Sequence, residues 1–202
     1  GQSTFLQLDS VILDSGPPAI TETASGATST APIYRNVDVP LGGTVTDGFS
    51  VDSVVVTYSK DGGPPVEILN DTDGNESWAT TLTAATGDGA YEITVTATDG
   101  AGASSTLVRN IVIDTSPVEL EVTDPVDGAL VDTGTYMIVG RVTDSTGQGV
   151  DALQYSLDNA TWNDIPITGL NWSTTIGDYT TGGQGQKTLY VRATDGLNGD
   201  VE

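Results

Sequence analysis

The stretch Tyr91-Glu-Ile-Thr-Val-Thr-Ala-Thr-Asp-Gly100 places an apolar residue at every second position, with Thr or Glu between them. A period of two is that of a β-strand with one face on a core and the other toward solvent. A second stretch, Leu189-Tyr-Val-Arg-Ala-Thr-Asp-Gly196, repeats both the alternation and the Asp-Gly ending. Apolar residues do not follow the 3.6-residue spacing of a helix, so the sequence predicts an all-β protein.

These two stretches belong to an internal repeat. Five landmarks recur in the same order at offsets of 94 to 100 residues, and a fixed period of this kind indicates duplicated structural units. The paired landmarks are Leu13–Pro17 with Ile113–Pro117, Val45–Asp47 with Val142–Asp144, Thr57–Ser59 with Gln154–Ser156, Trp78–Thr81 with Trp172–Thr175, and Ala97–Gly100 with Ala193–Gly196.

Each repeat holds about seven short strands separated by turn residues, which is the pattern of an immunoglobulin-like β-sandwich. We therefore predict tandem immunoglobulin-like β-sandwiches, domain 1 over residues 17–116 and domain 2 over residues 117–202. Trp78 and Trp172 are expected to anchor the two cores. The predicted strands are 19–23, 35–46, 52–59, 65–69, 78–83, 91–98 and 104–113 in the first repeat, and 118–123, 136–143, 151–157, 161–165, 172–176 and 187–194 in the second.

The two ends of the sequence are out of phase with the repeat. Residues 3–13 match residues 104–113, so residues 1–16 are interpreted as the last strand of a preceding unit plus a linker. Domain 2 is expected to lack a final strand of its own. Either the sequence is a window cut from a longer array, or the first strand of one molecule completes the sandwich of the next by donor-strand exchange and builds a filament.

Composition excludes several kinds of function. The chain of 202 residues has 28 Asp+Glu against 6 Lys+Arg, a formal net charge of −22, and neither Cys nor His. Disulfides, thiolate nucleophiles and imidazole ligands are therefore excluded. The charge argues against nucleic-acid binding, and no apolar run is long enough for membrane insertion. Adaptation to high salt is a second possible cause of this acidity.

The residues Tyr91–Gly102, followed by Ile111-Val-Ile-Asp-Thr-Ser-Pro117, resemble the end of a prokaryotic Ig-like repeat. Such repeats occur in large cell-surface adhesins, S-layer-type proteins and secreted multidomain enzymes. The strand-end Asp residues also resemble the acidic junctions of cadherin repeats, where Ca²⁺ binds between domains. The linker Ile113–Pro117 departs from cadherins because it lacks their denser acidic residues, so the resemblance implies a single ion rather than several.

Three carboxylates recur in both repeats at corresponding positions. Strands B and F of such a sandwich run in the same direction, so residues at their ends emerge on one rim with the preceding linker. Converging carboxylates repel one another unless a cation or a proton intervenes, and Ca²⁺ prefers oxygen ligands. The alternative is that each Asp-Gly simply begins a turn. The candidate Ca²⁺ ligands are Asp14, Asp47 and Asp99 in the first repeat, and Asp114, Asp144 and Asp195 in the second, with Asp88 reaching the second group.

Other motifs are weaker. The segment Asn70–Glu76 does not have the spacing of an EF-hand and is predicted to be a hairpin tip. An isopeptide bond from Lys60 or Lys187 is conceivable. Four Asn-X-Ser/Thr sequons are candidate glycosylation sites, at Asn70, Asn75, Asn159 and Asn171.

The sequence therefore predicts a non-catalytic, extracellular, cell-surface module that is structural or adhesive. It is interpreted as a calcium-stiffened tandem repeat or as a filament subunit, with copies of itself or neighbouring Ig-like units as partners. The alternative is a module that binds a cell-surface glycan or receptor, or an accessory module of a secreted polysaccharide-degrading enzyme. Acidic residues are numerous, but no pattern pairs two of them for glycoside hydrolysis.

Overall fold

A computed structural model describes residues 13–14, 16–130, 134–146, 149–177, 185–198 and 200–201. These residues are almost entirely strand and loop, which confirms the predicted all-β fold of tandem Ig-like sandwiches. The chain divides into two compact units. The first contains the residues up to Ile33, Val39–Leu82 and Tyr91–Ile111, and the second contains Tyr34–Asp38, Thr83–Ala90 and the residues from Val112 onward.

The first repeat forms two sheets. The three-stranded sheet has the order β1 (Ala19–Ile20), β3 (Val39–Thr46), β6 (Ser77–Leu82). The five-stranded sheet has the order β2 (Ile33–Arg35), β8 (Ser104–Ile113), β7 (Gly89–Asp99), β4 (Val51–Lys60), β5 (Val66–Asp71). Strand β3 pairs antiparallel with both β1 and β6, and β4 pairs antiparallel with both β5 and β7. A single 3₁₀ turn, Ala84–Thr86, connects β6 to β7.

The second repeat also forms two sheets, and the neighbouring strands in both pair antiparallel. One sheet has the order β13 (Asn171–Gly177), β10 (Thr135–Thr143), β9 (Glu119–Asp124), and the other has the order β12 (Asn163–Asp164), β11 (Ala152–Ser156), β14 (Tyr190–Thr194), β15 (Asp200–Val201).

The alternating pattern of β7 holds in the structure. Tyr91, Ile93, Val95 and Ala97 are all buried, and the residues between them are more exposed, because alternate side chains of a strand point to opposite faces. The same alternation buries Val191 and Ala193 on β14. Half-buried strands of this kind place the core between the two sheets of each repeat.

Both predicted core tryptophans are buried, Trp78 on β6 and Trp172 on β13. Each lies opposite a glycine of the adjacent strand, Gly43 for Trp78 and Gly140 for Trp172. A Cβ at Gly140 would come within 2.2 Å of the Trp172 ring, so only glycine leaves room for the indole. The sequence repeat thus extends to the register that places a glycine opposite each tryptophan, although a Cβ at Gly43 would meet the backbone of Thr21 and not the Trp78 ring.

Three predicted strands need correction. The strand predicted at 35–46 is two elements, β2 and β3, which belong to different sheets, so the chain must bend at the intervening residues Asn36–Asp38. The strand predicted at 161–165 shrinks to β12, because the Thr161 amide donates to Asp158 Oδ1 and completes a turn. The strand predicted at 19–23 ends at Ile20, although the Thr21 and Thr23 amides still donate to carbonyls of β3.

The last strand of the second repeat differs from the expectation of a vacant edge. Strand β15 pairs with Thr194 and Ala193 of β14, which is the place that β8 occupies beside β7. The predicted donor strand, residues 3–13, lies outside the described residues except for Leu13. Donor-strand exchange therefore stays a prediction.

Candidate functional site

The first group of carboxylates comprises Asp14, Asp47 and Asp99, here called the first Asp set. Asp47 follows the last residue of β3, Asp99 is the last residue of β7, and Asp14 lies in the segment that leads to β1. One carboxylate oxygen from each residue lies within 4.8 Å of those of the other two. The structure therefore brings together the three residues that the repeat pattern predicts for the first unit.

Asp99 anchors the first Asp set. Its side chain is only 2% exposed, and its Oδ1 accepts hydrogen bonds of 2.9 Å from the amides of Ala101 and Ala103. Its Oδ2 is buried and has no hydrogen-bond partner among the described residues. A buried carboxylate oxygen without a partner carries a desolvation cost, so it needs a cation, a proton or a water molecule.

Asp47 and Asp14 each show one of the two features of Asp99: Asp47 has an oxygen that accepts backbone amides, and Asp14 has a buried oxygen without a partner among the described residues. Asp47 Oδ1 accepts the amides of Phe49 and Ser50 at 2.8 and 3.1 Å, an arrangement that closes the turn after β3. Asp14 Oδ2 is buried and, within the described part of the chain, unpartnered. Turn formation accounts for the Oδ1 atoms of Asp47 and Asp99, but it does not account for the unpartnered Oδ2 atoms of Asp14 and Asp99.

A cleft of about 530 Å³ lies beside the first Asp set. Leu13 and Phe49 on its wall are 89% and 56% exposed, so apolar side chains border the carboxylates. The residues that line it are Leu13, Asp14, Gly16, Pro17, Ala19, Thr46, Asp47, Gly48 and Phe49.

The second Asp set comprises Asp114, Asp144 and Asp195, which follow β8, β10 and β14 directly. Asp114 and Asp195 are fully buried. Burial raises the pKa of Asp114, and the negative charges of Asp144 and Asp195 raise it further, while the Thr146 hydroxyl and the Ser116 amide oppose the shift. The three carboxylates are therefore close enough to interact electrostatically.

Hydrogen bonds occupy the second Asp set more fully than the first. Asp195 Oδ1 accepts the amides of Leu197 and Asn198, both at 2.7 Å, and its Oδ2 accepts the Asn198 side-chain amide at 2.8 Å. Burial alone would raise the pKa of Asp195, but these hydrogen bonds to Asn198 and Leu197 outweigh it and lower the pKa.

Asp144 and Asp114 are also engaged by donors. Asp144 accepts the Thr146 amide on Oδ1 at 3.1 Å and the Gly149 amide on Oδ2 at 2.8 Å. Asp114 Oδ1 accepts the Thr146 hydroxyl at 2.7 Å and the Ser116 amide at 3.3 Å. Asp114 Oδ2 remains buried and without a partner among the described residues.

Asp88 contacts the residues that follow Asp114. Its Oδ1 accepts the amide and hydroxyl of Thr115 at 2.8 and 2.7 Å, and its Oδ2 accepts the Ser116 hydroxyl at 2.5 Å. Burial raises the pKa of Asp88, but the hydrogen bonds from Ser116 and Thr115 lower it overall. Asp88 thus holds the segment next to the second Asp set, and both of its oxygens are already used.

The sequence analysis did not predict that the side chains of Thr146 and Asn198 would donate hydrogen bonds to the second Asp set. The repeat offsets place Phe49 at the position of Thr146 and Gly102 at the position of Asn198. A comparison of the two repeats position by position would have shown that the second set carries two side-chain donors that the first set lacks.

The remaining candidate residues lie on loops and strand surfaces. The Asn70–Glu76 segment leads from β5 to β6, which belong to different sheets, so it is a connection between the sheets and the predicted hairpin tip is wrong. The Asn75 amide and side chain hold the pKa of Asp73 below its usual value. All four sequon asparagines, Asn70, Asn75, Asn159 and Asn171, are exposed. The described residues contain no helix long and apolar enough to cross a membrane.

Solved structures similar to this chain are β-sandwich modules with low sequence identity. The fibronectin(III)-like modules of Clostridium thermocellum CbhA share 15% identity at a TM-score of 0.38, with 90% of each chain covered. A chimeric titin Z1Z2 shares 18% identity at a TM-score of 0.30, covering 88% of this chain and 89% of the other. A 1.5-MDa bacterial ice-binding adhesin shares 16% identity at a TM-score of 0.33, covering 90% of this chain and 65% of the other.

A comparison with curated proteins found no match. The comparison with protein families did find one, and it covers the first repeat from the start of β1 to just beyond β8. Residues 19–115 match the model of the bacterial Ig-like domain family.

Proposed function

We propose that this chain is a non-catalytic module of an extracellular, cell-surface protein and that its first unit binds one Ca²⁺ ion at Asp14, Asp47 and Asp99. The match of residues 19–115 to a bacterial Ig-like domain supports the modular role. The proposed role of the ion is structural: it fixes the segment that carries Asp14 to the ends of β3 and β7.

The observation that carries this proposal is a pair of buried oxygens, Asp14 Oδ2 and Asp99 Oδ2, that have no partner among the described residues and belong to a group of three converging carboxylates. Ca²⁺ takes six to eight oxygen ligands with irregular geometry, and backbone carbonyls and water complete its coordination. A divalent cation would satisfy both orphan oxygens and would also offset the mutual repulsion of three negative charges. A general adaptation to high salt would favour exposed carboxylates, whereas Asp99 is buried.

The proposed affinity follows from the setting. Extracellular calcium modules bind with dissociation constants of about 10⁻⁴ to 10⁻³ M, since they work where calcium is plentiful. Asp14 lies in the segment before β1, whereas Asp47 and Asp99 lie at the ends of β3 and β7. Ion binding would therefore attach the segment before β1 to these two strands and restrict its motion. A stiffened connection of this kind suits a repeat unit that holds other units away from a cell surface.

Several finer predictions accompany this proposal. Calcium at Asp88, Asp114, Asp144 and Asp195, which the sequence analysis predicts, is not part of this proposal. Neighbouring Ig-like units or copies of the chain as partners stay a prediction. Glycosylation at Asn70, Asn75, Asn159 and Asn171 also stays a prediction, and the exposure of all four side chains is compatible with it. Filament formation by strand exchange is less favoured, because β15 already pairs with part of the β14 edge.

Binding of a glycan or receptor is the alternative function. Trp162 is a partly exposed aromatic residue, but the guanidinium of Arg192 lies 4.0 Å from the centre of its ring and covers one face. A sugar platform stacks on an aromatic face, and this contact reduces the faces of Trp162 on which a sugar can stack from two to one. A glycan array with the intact chain tests it directly.

A calcium titration followed by amide NMR tests the main proposal at the level of single residues. The amides of Phe49, Ser50, Ala101 and Ala103 donate to the first Asp set, so they report on it directly. We expect saturable shifts of these amides with a midpoint near 10⁻⁴ to 10⁻³ M Ca²⁺, with much smaller changes in equimolar Mg²⁺ or in NaCl of matched ionic strength. If these amides do not respond up to about 10 mM Ca²⁺, a range that spans the expected affinity, the proposal is wrong.

A further inference from the structure

The side chain of Asn198 lies beside Asp195 of the second Asp set and contacts the backbone of Asp114 and Ser116. Its Nδ2 lies 2.8 Å from Asp195 Oδ2, 3.1 Å from the Ser116 carbonyl oxygen and 3.3 Å from the Asp114 carbonyl oxygen. Its backbone amide donates to Asp195 Oδ1 at 2.7 Å. One residue therefore joins the chain after β14 to the chain after β8.

The orientation of this amide follows from its neighbours. Three oxygens surround one end of the side chain, and only the NH₂ end can donate to them. On the other end, Asn198 Oδ1 accepts a hydrogen bond of 3.4 Å from Asn36 Nδ2, which also donates to the Leu197 carbonyl at 2.6 Å. Asn36 belongs to the same compact unit as Asn198. The network thus fixes the amide with its donors toward the oxygens.

Three oxygens that converge on one point, one of them a carboxylate oxygen, form the kind of environment that attracts a cation. In the first Asp set the corresponding residue is Gly102, which has no side chain to offer, and Asp99 Oδ2 is left without a partner. Likewise, the Thr146 hydroxyl donates to Asp114 Oδ1, and its counterpart in the first repeat is Phe49. Among the described residues, side-chain donors therefore reach the carboxylates of the second Asp set, and only backbone amides reach those of the first.

We propose that the Asn198 amide takes the place of a cation beside Asp195 in the second unit, so that Asp195 Oδ2 and the carbonyl oxygens of Asp114 and Ser116 are satisfied without calcium and Asn198 is their positioning residue. Asp114 Oδ2 lies outside this contact and has no partner among the described residues. This arrangement, Asn198 with Asp195 and the carbonyls of Asp114 and Ser116, is here called the amide latch. The inference deepens the proposed function and rests on it in one respect: it confines calcium binding to the first Asp set. The expected stoichiometry of the chain is one Ca²⁺, although two sets of carboxylates are present.

The substitution Asn198→Asp tests the latch by a gain of function. It replaces the donor amide by a carboxylate at the same point, so the converging oxygens lose their hydrogen bonds and acquire another negative ligand. In the intact wild-type chain, we expect Ca²⁺ to leave the amides of Thr146, Gly149 and Leu197 unmoved, since they report on the second Asp set. In Asn198→Asp we expect them to shift with saturation. Asn163→Asp, an exposed change of equal charge on β12, is the matched control and should not create this response.

A loss-of-function variant keeps the latch testable if Asn198→Asp folds poorly. With a chelator present, Asn198→Ala should lower the thermal midpoint of the second unit by about 5 °C or more, because one buried carboxylate oxygen loses its donor. The Leu197 amide should also lose protection from hydrogen exchange. Asn163→Ala is the control for this variant. An unchanged midpoint together with unchanged exchange would overturn the latch.

The outcomes separate the two proposals. If Ca²⁺ shifts the reporters of the second Asp set in the wild-type chain over the same concentration range as the first set, the latch is wrong and calcium binding stands. If Ca²⁺ shifts neither set but Asn198→Ala weakens the second unit in chelator, the calcium proposal is wrong and the latch stands. A response of the first set alone, with the gained response in Asn198→Asp, supports both.

Discussion

The first and second Asp sets contain aspartates at three corresponding positions of the two repeats, but their surroundings differ. Asp47 and Asp144 both follow the strand that pairs with the tryptophan strand, and Asp99 and Asp195 both end the apolar alternation of a long strand. In the first set, two buried oxygens have no partner among the described residues. In the second set, Thr146 and Asn198 supply side-chain donors, and one buried oxygen, Asp114 Oδ2, has no partner among the described residues. On the proposed function, an ion satisfies the carboxylates of the first set, whereas hydrogen bonds satisfy most of those of the second.

The largest effect is expected from Asp99→Asn. This change removes a buried charge from the first Asp set but keeps the oxygen that accepts the amides of Ala101 and Ala103. Removing one member of a buried charge interaction costs about 3 kcal/mol, which corresponds to about 100-fold weaker calcium binding. Calorimetry with CaCl₂ measures it.

The matched control for this prediction is Asp195→Asn, the same change in the second Asp set. We expect its calcium affinity to equal that of the wild type. Equal weakening by both substitutions would mean that the two sets do not differ in the way described, and the comparison would fail.

A smaller effect is expected on thermal stability. An ion that binds the folded state alone adds about 1.4 kcal/mol at a tenfold excess over its dissociation constant. We expect Ca²⁺ to raise the unfolding midpoint of the first unit, seen through the amides of the core around Trp78, and to leave the core around Trp172 unchanged. An equal rise in both cores would point instead to a general ionic effect, which NaCl at matched ionic strength would reproduce.

A graft of the second set onto the first should reduce the need for calcium. Gly102→Asn places an amide at the position of Asn198, and a Cβ at Gly102 meets no atom within 4 Å. The φ of Gly102 is +90°, and Asn tolerates positive φ better than most residues, so a modest backbone cost is expected. We expect calcium to stabilise the variant less than the wild type, in thermal unfolding with and without chelator.

The graft has its own control in Gly102→Ala, which carries the backbone cost without the amide. Calcium should stabilise this variant as much as it stabilises the wild type. If the Asn and Ala variants respond identically to calcium, the side-chain amide contributes nothing at this position.

The smallest effect concerns pH. Burial and the charges of Asp144 and Asp195 raise the pKa of Asp114, so the folded chain holds that proton more tightly than the unfolded chain does. The free energy of unfolding should therefore fall as pH rises from the ordinary carboxyl range through the raised pKa of Asp114. Asp114→Asn should remove this part of the slope, as measured by chemical denaturation in chelator across the acid range. Because the pKa of Asp195 is lowered, its contribution to the free energy of unfolding rises with pH, and it does so at lower pH. It therefore does not mask the difference between the wild type and Asp114→Asn.

Much of the fold was predictable because the physical signals are local and periodic. Alternation in Tyr91–Ala97 fixes which face of β7 is buried, and the repeat then transfers the same assignment to β14. The break between β2 and β3 was not predictable, because the chain changes sheets at Asn36–Asp38 without a Gly or Pro at the bend. Such a change depends on which sheet offers a free edge, and that is a property of the assembled sandwich.

The candidate site was predictable in part for a related reason. Strand direction alone places Asp14, Asp47 and Asp99 at one end of the first sandwich, so their convergence follows from topology. The closure of the second set by Asn198 was not visible, because its contacts with Asp114 and Ser116 span 84 and 82 residues. Topology brings strand ends together, but it does not reveal which loop side chain reaches between them.

A crystal structure of the intact chain grown with CaCl₂ tests the central claim most directly. We predict one calcium ion between Asp14, Asp47 and Asp99, identified by its anomalous signal, with oxygens at about 2.3 to 2.6 Å. We also predict that Asn198 Nδ2 keeps its place beside Asp195 with no ion there. An ion bound at the second Asp set, or an empty first set at saturating calcium, would contradict the account.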